Sequence, residues 1–192
     1  MEYICVFCAS STAISEKYFE AAHHLGKAIA SQGYGLVCGA GAMGLMAAVS
    51  DAVLQYNGKV TGVIPRFMCD ENWHHKNLSE LIVTQSMHER KEKMAQLASA
   101  VVAMPGGVGT LEELLEIITW KQLGIFNKPI VILNTDGYFD PLLTMFDKAV
   151  DESFMRDMHR DLWTVVAAPE MVVPAIKNAK VWDSSIRKLA AI

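Results

Sequence analysis

At 192 residues, with 52% hydrophobic and 20% charged residues, the chain is too apolar to stay disordered and has the length of one ordinary α/β domain. A formal charge of −4 and a pI near 5.8 argue against the broad basic surface that nucleic-acid binding requires, although one phosphate needs no such bias. No stretch approaches the roughly 20 apolar residues of a membrane span, and Met1-Glu2-Tyr3-Ile4-Cys5-Val6-Phe7-Cys8 lacks the basic start of a signal peptide, so a cytoplasmic setting is expected.

Short apolar runs alternate with segments of helical period, the pattern of strand-helix units around a parallel sheet. The first predicted strand is Tyr3 to Cys8, and a helix from about Glu16 to Ala30 follows, capped by Ser15 and burying Phe19, Leu25 and Ile29. Gly35 to Cys38 gives a second strand, then a glycine turn and a helix from about Gly44 to Tyr56 that ends at Asn57-Gly58. Val60 to Ile64 is a third strand, closed by Pro65. Arg66 to Glu80 is the one irregular stretch, a candidate lid or rim loop. Leu81 to Thr84 is a strand, and Ser86-Met87-His88-Glu89 opens a helix to about Leu97 as a capping box, with Glu89 reaching back to the Ser86 N–H. Ala100 to Met104 is the most hydrophobic strand and leads through Pro105 to Thr110 into a helix from about Leu111 to Leu123. Ile130 to Leu133 is another strand, Phe139 to Asp151 a helix, Thr164 to Ala167 a last strand, and a helix near the C-terminus completes the series. With no internal boundary or repeat, residues 1–192 are expected to form a single Rossmann-like, doubly wound, mostly parallel sheet of about six or seven strands flanked by helices. Its ligand should lie at the carboxyl ends of the strands.

Four cysteines, Cys5, Cys8, Cys38 and Cys69, fit buried reduced thiols. Cys5 and Cys8 lie three apart on a strand and should face opposite sides. The pairs His23-His24 and His74-His75 lack the spacing of two helix ligands, so no metal site is expected. The apolar excess leaves surface for a second subunit to cover.

Gly39-Ala40-Gly41-Ala42-Met43-Gly44 is a literal G-x-G-x-x-G between strand and helix, where amides and helix dipole favour an anion. The next strand ends Gly62-Val63-Ile64-Pro65 without the acid that a dinucleotide site places on the ribose, which disfavours NAD or FAD. The second turn, Pro105-Gly106-Gly107-Val108-Gly109-Thr110, aims bare backbone at a helix N-terminus and lacks the Lys of a Walker A loop. It is read either as a phosphate loop or as a tight turn for close packing.

Thr110-Leu111-Glu112-Glu113 reads as a capping box, but a carboxylate in the first turn after a phosphate loop also sits one side-chain length from a bound ribose. There it can stabilise an oxocarbenium-like sugar or position water. Glu112 and Glu116 read as solvated helix faces. Arg90 and Lys91, two cations near a helix start, call for an offsetting anion or acid. Arg90 is open to roles on a phosphate, a carboxylate or a departing base, and Lys93 is matched to Glu89 at i,i+4. Met43, Met46, Met87 and Met94 read as core filler, with Met87 near enough to Arg90 to touch a purine.

Pro105-Gly106-Gly107-Val108-Gly109-Thr110-Leu111-Glu112-Glu113 matches a P-G-G-x-G-T-x-x-E signature and Met87-His88-Glu89-Arg90-Lys91 an M-H-x-R-K signature. Together they resemble the LOG family, the cytokinin riboside 5'-monophosphate phosphoribohydrolases often labelled lysine decarboxylases. The resemblance extends to Phe7-Cys8-Ala9-Ser10-Ser11, the Gly39 to Met46 turn and Thr119-Trp120-Lys121-Gln122-Leu123-Gly124. It implies a Rossmann-like homodimer without metal or cofactor. Its expected reaction splits AMP or N6-substituted adenosine monophosphates into free base and ribose 5-phosphate. By the same resemblance Arg90 and Glu113 are the catalytic pair, Gly106, Gly107, Val108, Gly109 and Thr110 take the phosphate, and Lys91 and Thr119 line the nucleotide site. Ser10 and Gly41 border it, and Glu71 aligns with a substrate-contacting acid in a loop that departs from the family pattern. The alternatives are a non-catalytic nucleotide carrier, which has no use for Glu113, and a pyridoxal phosphate decarboxylase, for which the chain offers no convincing Schiff-base lysine.

Overall fold

The computed structural model describes residues 1–183. Seven strands form one sheet in which every pairing is parallel: β1 (Tyr3–Phe7), β2 (Gly35–Cys38), β3 (Val60–Pro65), β4 (Glu80–Thr84), β5 (Ala98–Ala103), β6 (Ile130–Leu133) and β7 (Thr164–Val166). Their order is β4-β3-β2-β1-β5-β6-β7, so the chain grows outward from β1 in one direction and later from β5 in the other. The sheet carries α1 (Glu16–Ser31), α2 (Gly44–Gln55), α3 (Arg66–Asp70), α4 (Met87–Leu97), α5 (Val108–Gln122), α6 (Asp140–Asp151) and α7 (Val172–Lys177).

The central strands are short runs of Val, Ile, Leu, Cys and Ala because both of their faces are covered. Alternate residues feed two cores: Ile4, Val6 and Cys8 pack under α1, α2 and α7, whereas Cys5 and Phe7 pack with Met94 of α4 and Leu114 of α5. Cys5 and Cys8 thus lie on opposite faces, as their spacing requires. The chain leaves β1 toward the face of α1 and leaves the adjacent β5 toward the face of α5. Their two exit loops diverge and open a crevice at the carboxyl ends of these strands.

α4 must carry the chain from edge strand β4 to interior strand β5, and in doing so it packs across β3, β2 and β1. This route brings the start of α4 beneath the carboxyl ends of β2 and β3 and beside α5. The Arg66 to Glu80 segment is more ordered than its composition predicts. It begins as α3, and Ala42 N–H donates to the Trp73 carbonyl at 3.1 Å while His75 N–H donates to the Ala40 carbonyl at 2.8 Å. A rim loop is therefore stitched to the first glycine turn.

Both predicted capping boxes differ in the structure. Ser86 Oγ accepts from Glu89 N–H at 3.1 Å, but the Glu89 carboxylate accepts from Gln85 N–H at 2.7 Å, one residue before the expected donor. Glu89 is thereby engaged locally and forms no ion pair with Lys93 among the described residues. α5 begins at Val108, three residues earlier than its composition predicts, because Gly107 (φ −84°, ψ −157°) already turns the chain into the helix. Thr110 thus lies within the helix and caps nothing, which releases Glu113 from a capping role. Ser15 precedes α1 as expected but makes no side-chain cap.

Candidate active site

The crevice holds a cavity of about 820 Å3, built from the exits of β1, β2, β3 and β5 together with the starts of α4 and α5. The two glycine turns meet there with different tasks. In the first, Gly41 N–H points at the Met46 sulfur at 2.9 Å, Ala42 N–H is held by Trp73, and Leu45 and Met46 N–H both reach the Ala9 carbonyl. Two amides of this turn, those of Gly41 and Ala42, are therefore committed to the protein. Gly44 instead allows the chain to pass the β1 exit: its φ is +62°, and a Cβ there would lie 2.5 Å from the Ser10 carbonyl carbon.

The second turn is different. Among the described residues the amides of Gly107, Val108, Gly109 and Thr110 have no acceptor, as expected for the first turn of α5, and they border the cavity. A Cβ on Gly106 would lie 2.1 Å from Thr110 Oγ1, so that glycine is required by packing. A Cβ on Gly107 or Gly109 would meet nothing within 4 Å. Protein packing demands neither of them, and both line the cavity. Tyr138 steadies this loop from behind, its hydroxyl donating to the Gly106 carbonyl at 2.6 Å.

Arg90 is only 6% exposed, yet it lacks an ion pair among the described residues. Its Nε donates to the Val63 carbonyl at 3.1 Å and its Nη2 to the Gly39 carbonyl at 3.2 Å, so the offset expected for a cation at this helix start comes from two strand-end carbonyls. Gly39 makes this possible, since a Cβ there would sit 1.8 Å from Nη2. Nη1 has only the Met87 sulfur at 3.6 Å, a weak acceptor, which leaves donor capacity toward the cavity.

Glu113 lines the same cavity and has no hydrogen-bonding partner among the described residues. Burial pushes its carboxyl up to about 7; Arg90 and Lys91 hold this rise back, and Glu112 and Glu116 add to it. A carboxylate poised near neutrality in a cleft is a group suited to proton transfer or to stabilising a transient cation.

Ser10, Gly41, Met87, Arg90, Gly107, Val108, Gly109, Thr110 and Glu113 are thus brought together. Gly106 lies directly behind the wall. Three expected site residues lie off it. Lys91 is turned between Glu112 and Glu116, the latter at 3.0 Å, so neither glutamate is simply a solvated face. Thr119 is farther along α5, its hydroxyl donating to the Leu115 carbonyl at 2.8 Å. Glu71 is exposed at the end of α3, and its neighbours Asn72 and Trp73 take the place on the wall. Composition offered no sign of Trp73, Met68 or Ile64 as wall residues, because an apolar side chain reads as core until the fold leaves it facing a cleft. Among the described residues no group of His, Cys, Asp and Glu is arranged to hold a metal.

A family model described as "Possible lysine decarboxylase" matches residues 46–176. A cytokinin riboside 5'-monophosphate phosphoribohydrolase of Arabidopsis thaliana is 48% identical over 166 residues, covering 86% of this chain and 76% of the relative. One of Oryza sativa subsp. japonica is 43% identical over 190 residues, covering 95% and 78%. Among solved structures, the molybdenum cofactor carrier protein of Chlamydomonas reinhardtii superposes with a TM-score of 0.70 at 24% identity, covering 93% of this chain and 97% of the other. A molybdenum cofactor binding protein of Rippkaea orientalis gives 0.71 at 22%, covering 92% and 95%, and these two likenesses show the fold alone. By its sequence identity, its two signatures and the cavity they build, this chain belongs to the LOG family of phosphoribohydrolases.

Proposed function

We propose that this protein hydrolyses the N-glycosidic bond of adenosine 5'-monophosphate or its N6-substituted forms, releasing free base and ribose 5-phosphate. The observation that carries this reading is the placement of Glu113 on α5 beside four unengaged amides at the same helix's start. Those amides and the helix dipole take the 5'-phosphate. Five residues past Val108, about 7.5 Å along the helix axis, Glu113 then faces the sugar. As the bond from the anomeric carbon to the base nitrogen breaks, its electron pair leaves with the base and the ribose becomes cationic. The Glu113 carboxylate stabilises that cation and takes the proton of the attacking water. Arg90, held beside Met87, donates a hydrogen bond to the departing base, which takes up a proton from solvent while Glu113 later releases the one it took from water. Met46, Met68, Met87, Ile64 and Trp73 supply the apolar wall against which a purine and its substituent pack.

The purified protein should release base from AMP and from isopentenyladenosine monophosphate, followed by chromatography. Glu113→Gln should still bind nucleotide but lose on the order of a hundredfold or more in turnover. Adenosine, without the phosphate, should be a far poorer substrate. Equal rates for wild type and the variant would leave Glu113 a bystander and favour a nucleotide carrier of the same fold. The reading extends to a cytoplasmic homodimer: all four cysteines are free, and α5 and the loop after it expose Leu115, Leu123 and Ile125 for a second copy to cover.

A further inference from the structure

We propose that Lys91 is a positioning residue, an ammonium brace that locks α4 to α5 through Glu112 and Glu116 and so sets Arg90 against Glu113. The inference rests on the hydrolase reading for its kinetic consequences. Its geometry stands separately.

Lys91 is 8% exposed, unusual for a lysine, and its ammonium lies between two carboxylates that sit one helical turn apart on α5. Glu116 is 3.0 Å away, and Glu112 is closer still. On the α4 side the brace is next to Arg90, and on the α5 side Glu112 is next to Glu113, so one charge cluster joins the immediate neighbours of both proposed catalytic groups. Arg90 is itself fixed to the Gly39 and Val63 carbonyls, which leaves α5 as the element whose placement Lys91 decides. The ammonium is the buried member of both pairs, while Glu112 and Glu116 keep part of their side chains at the surface, so losing either contact leaves a buried cation less compensated.

The brace also balances charge. The groups facing Glu113 are Arg90 and Lys91 from α4, Glu112 and Glu116 from its own helix, and the Cys5 and Cys8 thiols from β1 and its exit. Lys91 offsets the two flanking carboxylates. Without it they would raise the proton affinity of Glu113 further.

The test compares Lys91→Met, Lys91→Arg and Lys91→Met/Glu112→Gln/Glu116→Gln, with circular dichroism and thermal unfolding verifying the fold of each. Lys91→Met should lower kcat on the order of tenfold to a hundredfold, with KM for AMP nearly unchanged. The limb on which kcat rises with pH should move upward, on the order of one pH unit. Lys91→Arg should recover most of the rate. The charge-matched triple variant should return the limb to its wild-type position while kcat stays low. Titration of Glu113 by carbon-13 NMR of its carboxyl reads the same shift without turnover. An inactive wild type would therefore overturn the hydrolase reading alone, with the brace still decided by the titration. An unmoved Glu113 titration in Lys91→Met would overturn the brace, as would a raised KM with unchanged kcat, the mark of a direct nucleotide ligand.

Discussion

Replacing Glu113 by Gln should make the protein more stable at pH 8 than the wild type while lowering turnover on the order of a hundredfold or more. The carboxyl is raised from an ordinary 4.5 to about 7 mainly by burial, so between those values the native state holds a proton that the unfolded chain has released. Stability then falls as pH rises, because the unfolded state binds fewer protons than the native one. The effect is absent below pH 4.5, grows across the window from 4.5 to 7, and is complete above it. A rise of about 2.5 at about 1.4 kcal/mol per unit gives an upper bound of about 3.5 kcal/mol. Glutamine is neutral and nearly isosteric, so it escapes this penalty. For a chain of this size 1 kcal/mol moves Tm by roughly 2–4 °C, and the variant should melt up to about 10 °C above wild type at pH 8. At pH 4.5 the two should melt together. Calorimetry or urea unfolding of both proteins at the two pH values measures this. A stability difference independent of pH, or a variant less stable at pH 8, would refute the argument that Glu113 is held in a costly buried site.

In wild type, kcat/KM should rise with pH through about 7 as the Glu113 carboxylate of the free protein forms, dropping roughly tenfold per unit below it; a flat profile between pH 5 and 8 would remove Glu113 from the chemistry. Gly109→Ala should raise stability by about 0.4–1 kcal/mol, since alanine fits the first turn of α5 without a clash and restricts the unfolded chain, yet raise KM for the monophosphate by adding a methyl to a cavity-lining position. An unaltered KM would mean that the phosphate sits elsewhere. Gly39→Ala should displace the Arg90 guanidinium from the 3.2 Å contact with the Gly39 carbonyl and cost about tenfold or more in kcat. A crystal structure of that variant with Arg90 unmoved would contradict this. Replacing both Leu115 and Ile125 by Lys should convert a dimer to monomers in light scattering, and an already monomeric wild type would exclude the proposed contact.

Local pattern carried much of this protein. The alternation of apolar runs and helical segments was enough for a doubly wound sheet, because the central strands are buried on both faces and α1, α2 and α5 on one. The Gly106 to Glu113 and Met87 to Lys91 segments marked a candidate phosphate loop and two candidate catalytic groups, since glycine spacing and a following acid are properties of a few consecutive residues. The helix start was misjudged by three residues there, because Gly107 enters α5 without a side-chain cap.

What the sequence determined by itself is the order of elements, the two glycine turns and the identity of Glu113 and Arg90 as groups worth placing. Only the tertiary structure decided that the Gly41 and Ala42 amides of the first turn meet Met46 and Trp73 whereas, among the described residues, those of Gly107 to Thr110 have no acceptor. It also decided that Lys91 braces α4 against α5, that Arg90 rests on strand-end carbonyls, and that Trp73 and Met68 face a cleft. The reason is the same in each case: a polar group's partner and a carboxyl's proton affinity depend on burial and on neighbours far away in sequence, and local patterns carry neither.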